Sequence, residues 1–285
     1  SGMTMKVLVA DQLSEEGLAL LSANGQLSVD VKTGLSPQAL AEVIGPYDGL
    51  IVRSASQVTA EVIAKATHLK VIGRAGVGLD NVDADAATKR GIIVMNVPAG
   101  NTISTAEHTM SLILALARRI PQADAHLRAG RWERSKFVGV ELFGKTLGIV
   151  GLGKIGAEVA KRAQVFGMRI VAADPFLSTE SAAKLEVSLT SLPTLYATAD
   201  FITVHTPLTA ETRHMIGAKE LAMMKLGVRL INCARGGILD EDALYAAIQA
   251  GKVAGAAIDV FEQEPPTNHP LLTLEQVVCT PHLGA

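Results

Sequence analysis

Two parallel-sheet α/β domains are predicted for this 285-residue chain by three observations. Short β-branched runs alternate with segments of helical spacing along almost the whole length, the pattern of βαβ units and parallel sheets. The alternation breaks once, at Pro98-Ala-Gly-Asn101, which separates a shorter first series from a longer second one. The length exceeds what one core needs, and 48% hydrophobic and 19% charged residues with 26 glycines describe a folded chain with many tight turns. Domains are therefore expected at 1–97 and 98–285.

In the first series, residues 6–10, 50–52, 71–72 and 92–94 read as strands. Residues 15–21, 37–43 and 60–66 carry apolar side chains at helical spacing. After the break, Ser104 and Glu107 fit a capping box that opens a helix through Met110, Leu114 and Leu116 towards Arg119. The second series places strands at 146–150, 169–173, 201–204, 228–232, 254–258 and 277–280. Six strands with helices between them suggest a complete doubly wound sheet.

Composition narrows the function classes. A net charge of −2 without a basic patch argues against a nucleic-acid partner. The apolar stretches, such as 110–117, fall short of the ~20 residues that span a bilayer, so no membrane association is expected. Cys233 and Cys279 sit in apolar runs without metal-ligand spacing and read as reduced, buried thiols of a cytoplasmic protein; no metal site is expected. Ser1-Gly2 before Met3 looks like a tag remnant and carries no fold information.

The sharpest local signal is Gly151-Leu-Gly153-Lys-Ile-Gly156, which follows one strand and opens a helix. In that context Gly151 permits the turn, Gly153 lets a pyrophosphate approach the backbone, and Gly156 lets helix and strand pack closely. The phosphates would rest on N–H groups at the positive end of the helix. Asp174 ends the next strand, 18 residues past Gly156, where a carboxylate can accept from ribose hydroxyls and repel a 2′-phosphate. The cofactor expected is NAD, on a Rossmann domain.

Three further features follow strands, where an open α/β sheet places its ligands. Arg235, in Asn232-Cys-Ala-Arg235-Gly-Gly, can grip a carboxylate through its two-pronged guanidinium. Glu264 belongs to the acid-rich segment that begins at Asp259, and His282 follows Pro281. Oxidising an alcohol needs a base for the hydroxyl proton while hydride leaves the same carbon, and histidine, with an ordinary pKa of about 6.5, suits that task. A carboxylate behind an imidazole fixes its tautomer and favours its charged form, which pairs Glu264 with His282. Taken singly, each of these residues also reads as an ordinary surface or loop side chain.

From about Val7 onward the sequence resembles the D-isomer-specific 2-hydroxy-acid dehydrogenases. Leu50-Ile-Val-Arg-Ser54, Gly73 to Asn81, Trp132-Glu-Arg134, the Gly151 motif and Val204 to Leu208 carry the likeness, with Asn232 to Gly237, Asp259 to Pro265 and Pro281 to Gly284. The resemblance implies a flavodoxin-like substrate domain before the Rossmann domain, His282 as acid/base, Glu264 as its partner and Arg235 orienting the substrate. It also implies that Lys154 and Ile155 follow the cofactor loop, and that His205, Thr206 and Pro207 line the adenine side. Asp259, Cys233, Ala234 and Gly284 would lie with Arg235 and His282 about the nicotinamide. For Met110, Leu112, Leu114 and their neighbours it implies helix packing in a homodimer; a buried core helix fits the same periodicity.

Within the family, the likeness is greatest to members that oxidise D-3-phosphoglycerate at the first step of serine synthesis. A dianionic acid needs several cations. Arg53, beside Ser54, and Arg74, beside Gly76, follow strands of the first domain and are expected to face the interdomain cleft. Asn101 would reach the substrate at the hinge, and Arg134 would reach its phosphate from a partner subunit. Related chains continue past the Pro281 motif with a helix that returns to the first domain, so this chain, ending at Ala285, is expected to be truncated, with a single interdomain connection. The rival readings are a glyoxylate/hydroxypyruvate reductase, a D-lactate dehydrogenase, or an NAD-sensing corepressor on the same scaffold.

Overall fold

The structure is a computed structural model that describes residues 4–284, so the tag-like start lies outside the described residues. The chain divides into two units, one ending at Asn101 and the other beginning at Thr102. The break falls at the end of the Pro98–Asn101 segment.

The first unit runs β1 (Met5–Val9), α1 (Glu15–Ser22), β2 (Leu27–Val31), α2 (Pro37–Val43), β3 (Gly49–Val52), α3 (Ala60–Lys65), β4 (Val71–Arg74), α4 (Ala84–Lys89) and β5 (Ile93–Met95). Its parallel sheet has the order β2-β1-β3-β4-β5. Leu8, Val9, Leu50, Val52 and Ile72 are buried because helices cover both faces of the central strands, which explains their unbroken apolar character. Ser14, Ser36, Thr59 and Asp83 start α1 to α4, each side chain accepting an N–H of the first turn. The sequence reading omits β2 and α4. β2 is an edge strand with a largely exposed surface, so only Leu27, Val29 and Val31, alternating with Ser28 and Asp30, signal it.

The second unit opens with α5 (Thr102–Arg118) and α6 (Ile120–Arg128), followed by a short 3₁₀ turn over Arg134–Phe137. Then come β6 (Thr146–Val150), α7 (Lys154–Val165), β7 (Arg169–Ala173), α8 (Thr179–Ala183), β8 (Ser188–Leu189), α9 (Leu192–Thr198) and β9 (Phe201–Val204). The unit ends with α10 (Ala218–Met223), β10 (Val228–Asn232), α11 (Glu241–Gln249), β11 (Val253–Ile258) and β12 (Val277–Cys279). The parallel sheet has seven strands in the order β12-β11-β10-β9-β6-β7-β8, one more than expected, because the two-residue β8 is too short to show a period. Strand order reverses between β6 and β9, the position where doubly wound sheets take dinucleotides.

Several expectations need correction. Ser104 lies inside α5, which begins at Thr102, so the capping box does not start this helix. Met110 and Leu112 are buried in the unit's own core with Leu147, Ile149 and Val159, and Leu114 packs against them. The apolar face of α5 is therefore used within the chain, which is the buried-core arrangement that the same periodicity allows. Trp132 (76% exposed), Val138 (77%) and Phe143 (74%) present apolar surface instead. Cys233 is buried, but Cys279 is exposed where edge strand β12 ends. Among the described residues no helix is long and apolar enough to cross a membrane.

Candidate active site

The glycine loop leaves β6 where the strand order reverses. Gly151 has φ +91°, and a Cβ there would lie 2.6 Å from the His205 carbonyl oxygen, so only glycine fits. At Gly156 a Cβ would lie 2.4 Å from the Gly151 carbonyl oxygen, which fixes how closely α7 packs on β6. Gly153 differs: a Cβ would meet no atom of the protein within 4 Å. What this glycine keeps clear is space outside the chain, beside the start of α7, where no side chain caps the first turn at Lys154 and Ile155. The hydroxyl of Thr206, next to Gly151, is buried without a partner among the described residues, a donor left for a ligand. These features fit a dinucleotide.

Asp174, at the end of β7, accepts the Leu152 N–H at 2.9 Å and the Phe176 N–H at 2.8 Å. It therefore ties the glycine loop to its neighbouring strand while keeping lone pairs for a ribose. Pro207 is exposed on the loop after β9. Burial pushes the His205 imidazole down to about 4, and its Nε2 pairs with Thr203 Oγ1 at 2.9 Å. The unfolded chain takes up this proton near pH 6.5, before the folded chain does, so stability is complete above that value and is lost as pH falls towards 4. The urea midpoint should accordingly fall more steeply across this window in the wild type than in His205→Gln. Parallel curves would contradict it.

In the other half of the sheet, at the same edge, three loops leave the carboxyl ends of neighbouring strands β10, β11 and β12. The buried Asn232 side chain accepts from Ala234 N at 3.0 Å and donates to the Arg235 carbonyl at 2.9 Å, which folds the turn that presents Arg235. The guanidinium of Arg235 donates to the Ala234 carbonyl at 2.8 Å. Burial pushes the Cys233 thiol up to about 12, so it remains protonated at neutral pH. At Gly236 a Cβ would lie 1.9 Å from the Phe261 carbonyl oxygen, so the loop after β11 lies directly on the Arg235 loop.

Glu264 Oε2 lies 2.8 Å from His282 Nδ1, and Glu264 Oε1 accepts the Phe261 N–H at 3.1 Å. A carboxylate at Nδ1 takes that hydrogen and leaves Nε2 as the nitrogen that can accept or return a proton. Asp259 builds the turn that carries His282. Its buried carboxylate accepts from Thr280 Oγ1 at 2.6 Å, Leu283 N at 2.7 Å and Gly284 N at 2.9 Å, with His108 Nε2 at 3.3 Å. Here the geometry gives Asp259 a second task besides the expected nicotinamide contact, that of organising the turn. Thr280 and His108 escape sequence reading because their contact with Asp259 spans distant segments; the strand-end position of Asn232 is the one signal that was available.

In the first unit, Arg53 and Arg74 follow or end the adjacent strands β3 and β4, at the same carboxyl edge. Asp11, just after β1, accepts from Arg53 N at 2.6 Å and Ser56 N at 3.1 Å, while Asn81 donates to the carbonyls of Arg53 and Ser56. The backbone under Arg53 and Ser54 is thereby fixed and both side chains are exposed. The Arg74 guanidinium lies over Gly76, its Nη1 1.5 Å from where a Cβ would stand. Asn101 closes this unit in a turn. Arg134, in the second unit, lines an open depression of about 590 Å³ with Arg118 and Glu141.

A glycine loop where the strand order reverses, with an acid–histidine pair at neighbouring strand ends, defines a dinucleotide-binding domain that carries an acid–base pair. Residues 110–284 match the family model described as D-isomer specific 2-hydroxyacid dehydrogenase, NAD binding domain, and the chain belongs to that family. NAD is its cofactor. The chain is 55% identical over 99% of its length to D-3-phosphoglycerate dehydrogenase of Archaeoglobus fulgidus, covering 53% of that protein. It spans about half the length of the curated relatives it matches. Among solved structures, a Thermus thermophilus protein, TT0316, superposes with a TM-score of 0.90 at 40% identity, covering 98% of this chain and 90% of that one. A D-lactate dehydrogenase of Aquifex aeolicus complexed with NAD and lactic acid gives 0.84 at 32% identity, with 98% and 88% covered.

Proposed function

We propose that this protein oxidises D-3-phosphoglycerate to 3-phosphohydroxypyruvate with NAD, the first step of serine synthesis. The observation that carries the reading is the His282–Glu264 pair at 2.8 Å, on a chain 55% identical to a relative named for this substrate. Bound NAD supplies the hydride acceptor. Residues 151–156 hold its phosphates, Asp174 its ribose, Thr206 and Pro207 its adenine side, and Asp259, Cys233, Ala234 and Gly284 its nicotinamide end. Arg235 holds the substrate carboxylate and reacting oxygen. His282 Nε2 takes the hydroxyl proton as hydride leaves the same carbon, and Glu264 stabilises the imidazolium that results.

Arg53, Arg74 and Arg134, with Ser54, Gly76 and Asn101, receive the rest of the substrate, Arg134 from a second copy of the chain. The pairing surface proposed for that homodimer is the exposed apolar group around Trp132 and Val138. A phosphate contact is a charge-assisted hydrogen bond of about 1.5–3 kcal/mol, so Arg134→Ala should raise KM for D-3-phosphoglycerate by about 10- to 150-fold. With D-glycerate, which lacks the phosphate, KM should hardly move. An equal loss on both acids would remove Arg134 from phosphate binding, and a preference of the wild type for D-lactate or glyoxylate would favour the reductase reading.

A further inference from the structure

The segment that carries Glu264 is held from below by groups that do not belong to the acid–base pair. Glu241, the first residue of α11, is mostly buried and has both carboxylate oxygens engaged. Oε1 accepts the backbone N–H of Glu262 at 2.6 Å, and Oε2 pairs with His269 Nε2. The other ring nitrogen, His269 Nδ1, accepts the Leu271 N–H at 3.2 Å. A nitrogen that accepts an N–H carries no hydrogen of its own, so the hydrogen of this imidazole is on Nε2 and is donated to Glu241. The ring also meets Phe261 edge-on, with centroids 5.4 Å apart and planes at 61°.

Phe261 is the residue whose N–H holds Glu264 Oε1, and its carbonyl rests on Gly236, beside Arg235. A continuous set of contacts therefore runs from His269 and Glu241, through the backbone of 261–262, to Glu264 and His282 Nδ1. The negative charge of Glu241 suits the positive end of α11, which anchors the set to a regular element. His214 joins at the solvent side through the Glu262 carboxylate. Exposed side chains such as Glu264 and His282 have many conformations open to them, and only a fixed backbone keeps their separation constant.

We infer that Glu241 and His269 are positioning residues that set the place of Glu264 and, through it, the tautomer and direction of His282. The inference rests on the acid–base assignment proposed above. Neither residue is among those proposed to hold substrate or cofactor. Their effect is on kcat, because a displaced base works more slowly on a substrate that still binds.

Two substitutions of one side chain separate this role from general support. His269→Gln can still donate to Glu241 and loses the acceptor for Leu271 N–H. His269→Asn places an oxygen near the Nδ1 position, so it keeps the Leu271 contact and loses Glu241. Expected for His269→Asn is a fall in kcat of about 10- to 100-fold with KM for NAD unchanged. In His269→Gln, kcat returns to within about threefold of wild type although the melting temperature falls. Nitrogen-15 imidazole spectra of the chain read the same point without turnover: His282 should be a single Nδ1–H tautomer in wild type and His269→Gln, and a mixture in His269→Asn. Equal kcat losses that follow the melting temperature, or an unchanged His282 spectrum in His269→Asn, would overturn the inference. Absence of phosphoglycerate turnover in the wild type would instead count against the proposed reaction, and the spectra would still decide the positioning role.

Discussion

His282→Gln is expected to lower kcat by about 10²- to 10⁴-fold, the range that a general acid–base group contributes, with NAD affinity changed by no more than a few-fold. Glutamine fills similar space and places its amide near the Nε2 position, but that amide cannot carry the hydroxyl proton at neutral pH. The separation of the two effects follows from the sheet. The glycine loop leaves β6, whereas His282 follows β12 at the far edge, with three strands between them in the order β12-β11-β10-β9-β6. Steady-state turnover and calorimetric titration with NAD measure the two quantities independently. A variant that keeps a tenth of wild-type kcat would remove His282 from the proton step.

Arg235→Gln is expected to lower kcat/KM by about 10²- to 10⁴-fold. Loss of two charge-assisted hydrogen bonds, to the carboxylate and to the reacting oxygen, amounts to about 3–6 kcal/mol. Arg235→Lys should recover part of this, since it restores charge without the planar fork. The turn itself should survive both changes, because Asn232 holds it through the Ala234 N–H and the Arg235 carbonyl, both backbone groups. Circular dichroism and melting temperatures check that point. If glutamine and lysine variants both retain wild-type kcat/KM, the carboxylate is held elsewhere.

The parts of the fold legible in the sequence are those written locally. A strand, three spaced glycines and a helix lie within twenty residues, and each glycine has its own steric reason in the structure. Buried strands such as β6 and β9 read directly because both faces are covered. Edge strands β2 and β8 do not, since short, half-exposed segments leave weak periodicity. Ser104 misled because a capping pattern also occurs inside a helix, and whether it caps depends on where the preceding chain runs. The His282–Glu264 pairing could be conceived from the chemistry of an imidazole and a carboxylate. The supports of that pair, Glu241 and His269, could not, nor could Asp11 and Asn81 under Arg53: their contacts join segments far apart in the chain, and such contacts leave no spacing to read.

Absorbance at the reduced-nicotinamide band, followed after mixing the chain with NAD and D-3-phosphoglycerate, tests the central claim most directly. The account predicts a rise in the wild type, loss of signal when NADH is mixed with 3-phosphohydroxypyruvate, and neither change with His282→Gln. A wild-type chain that binds NAD yet shows no change in either direction, or a His282→Gln chain that matches it, would contradict the account.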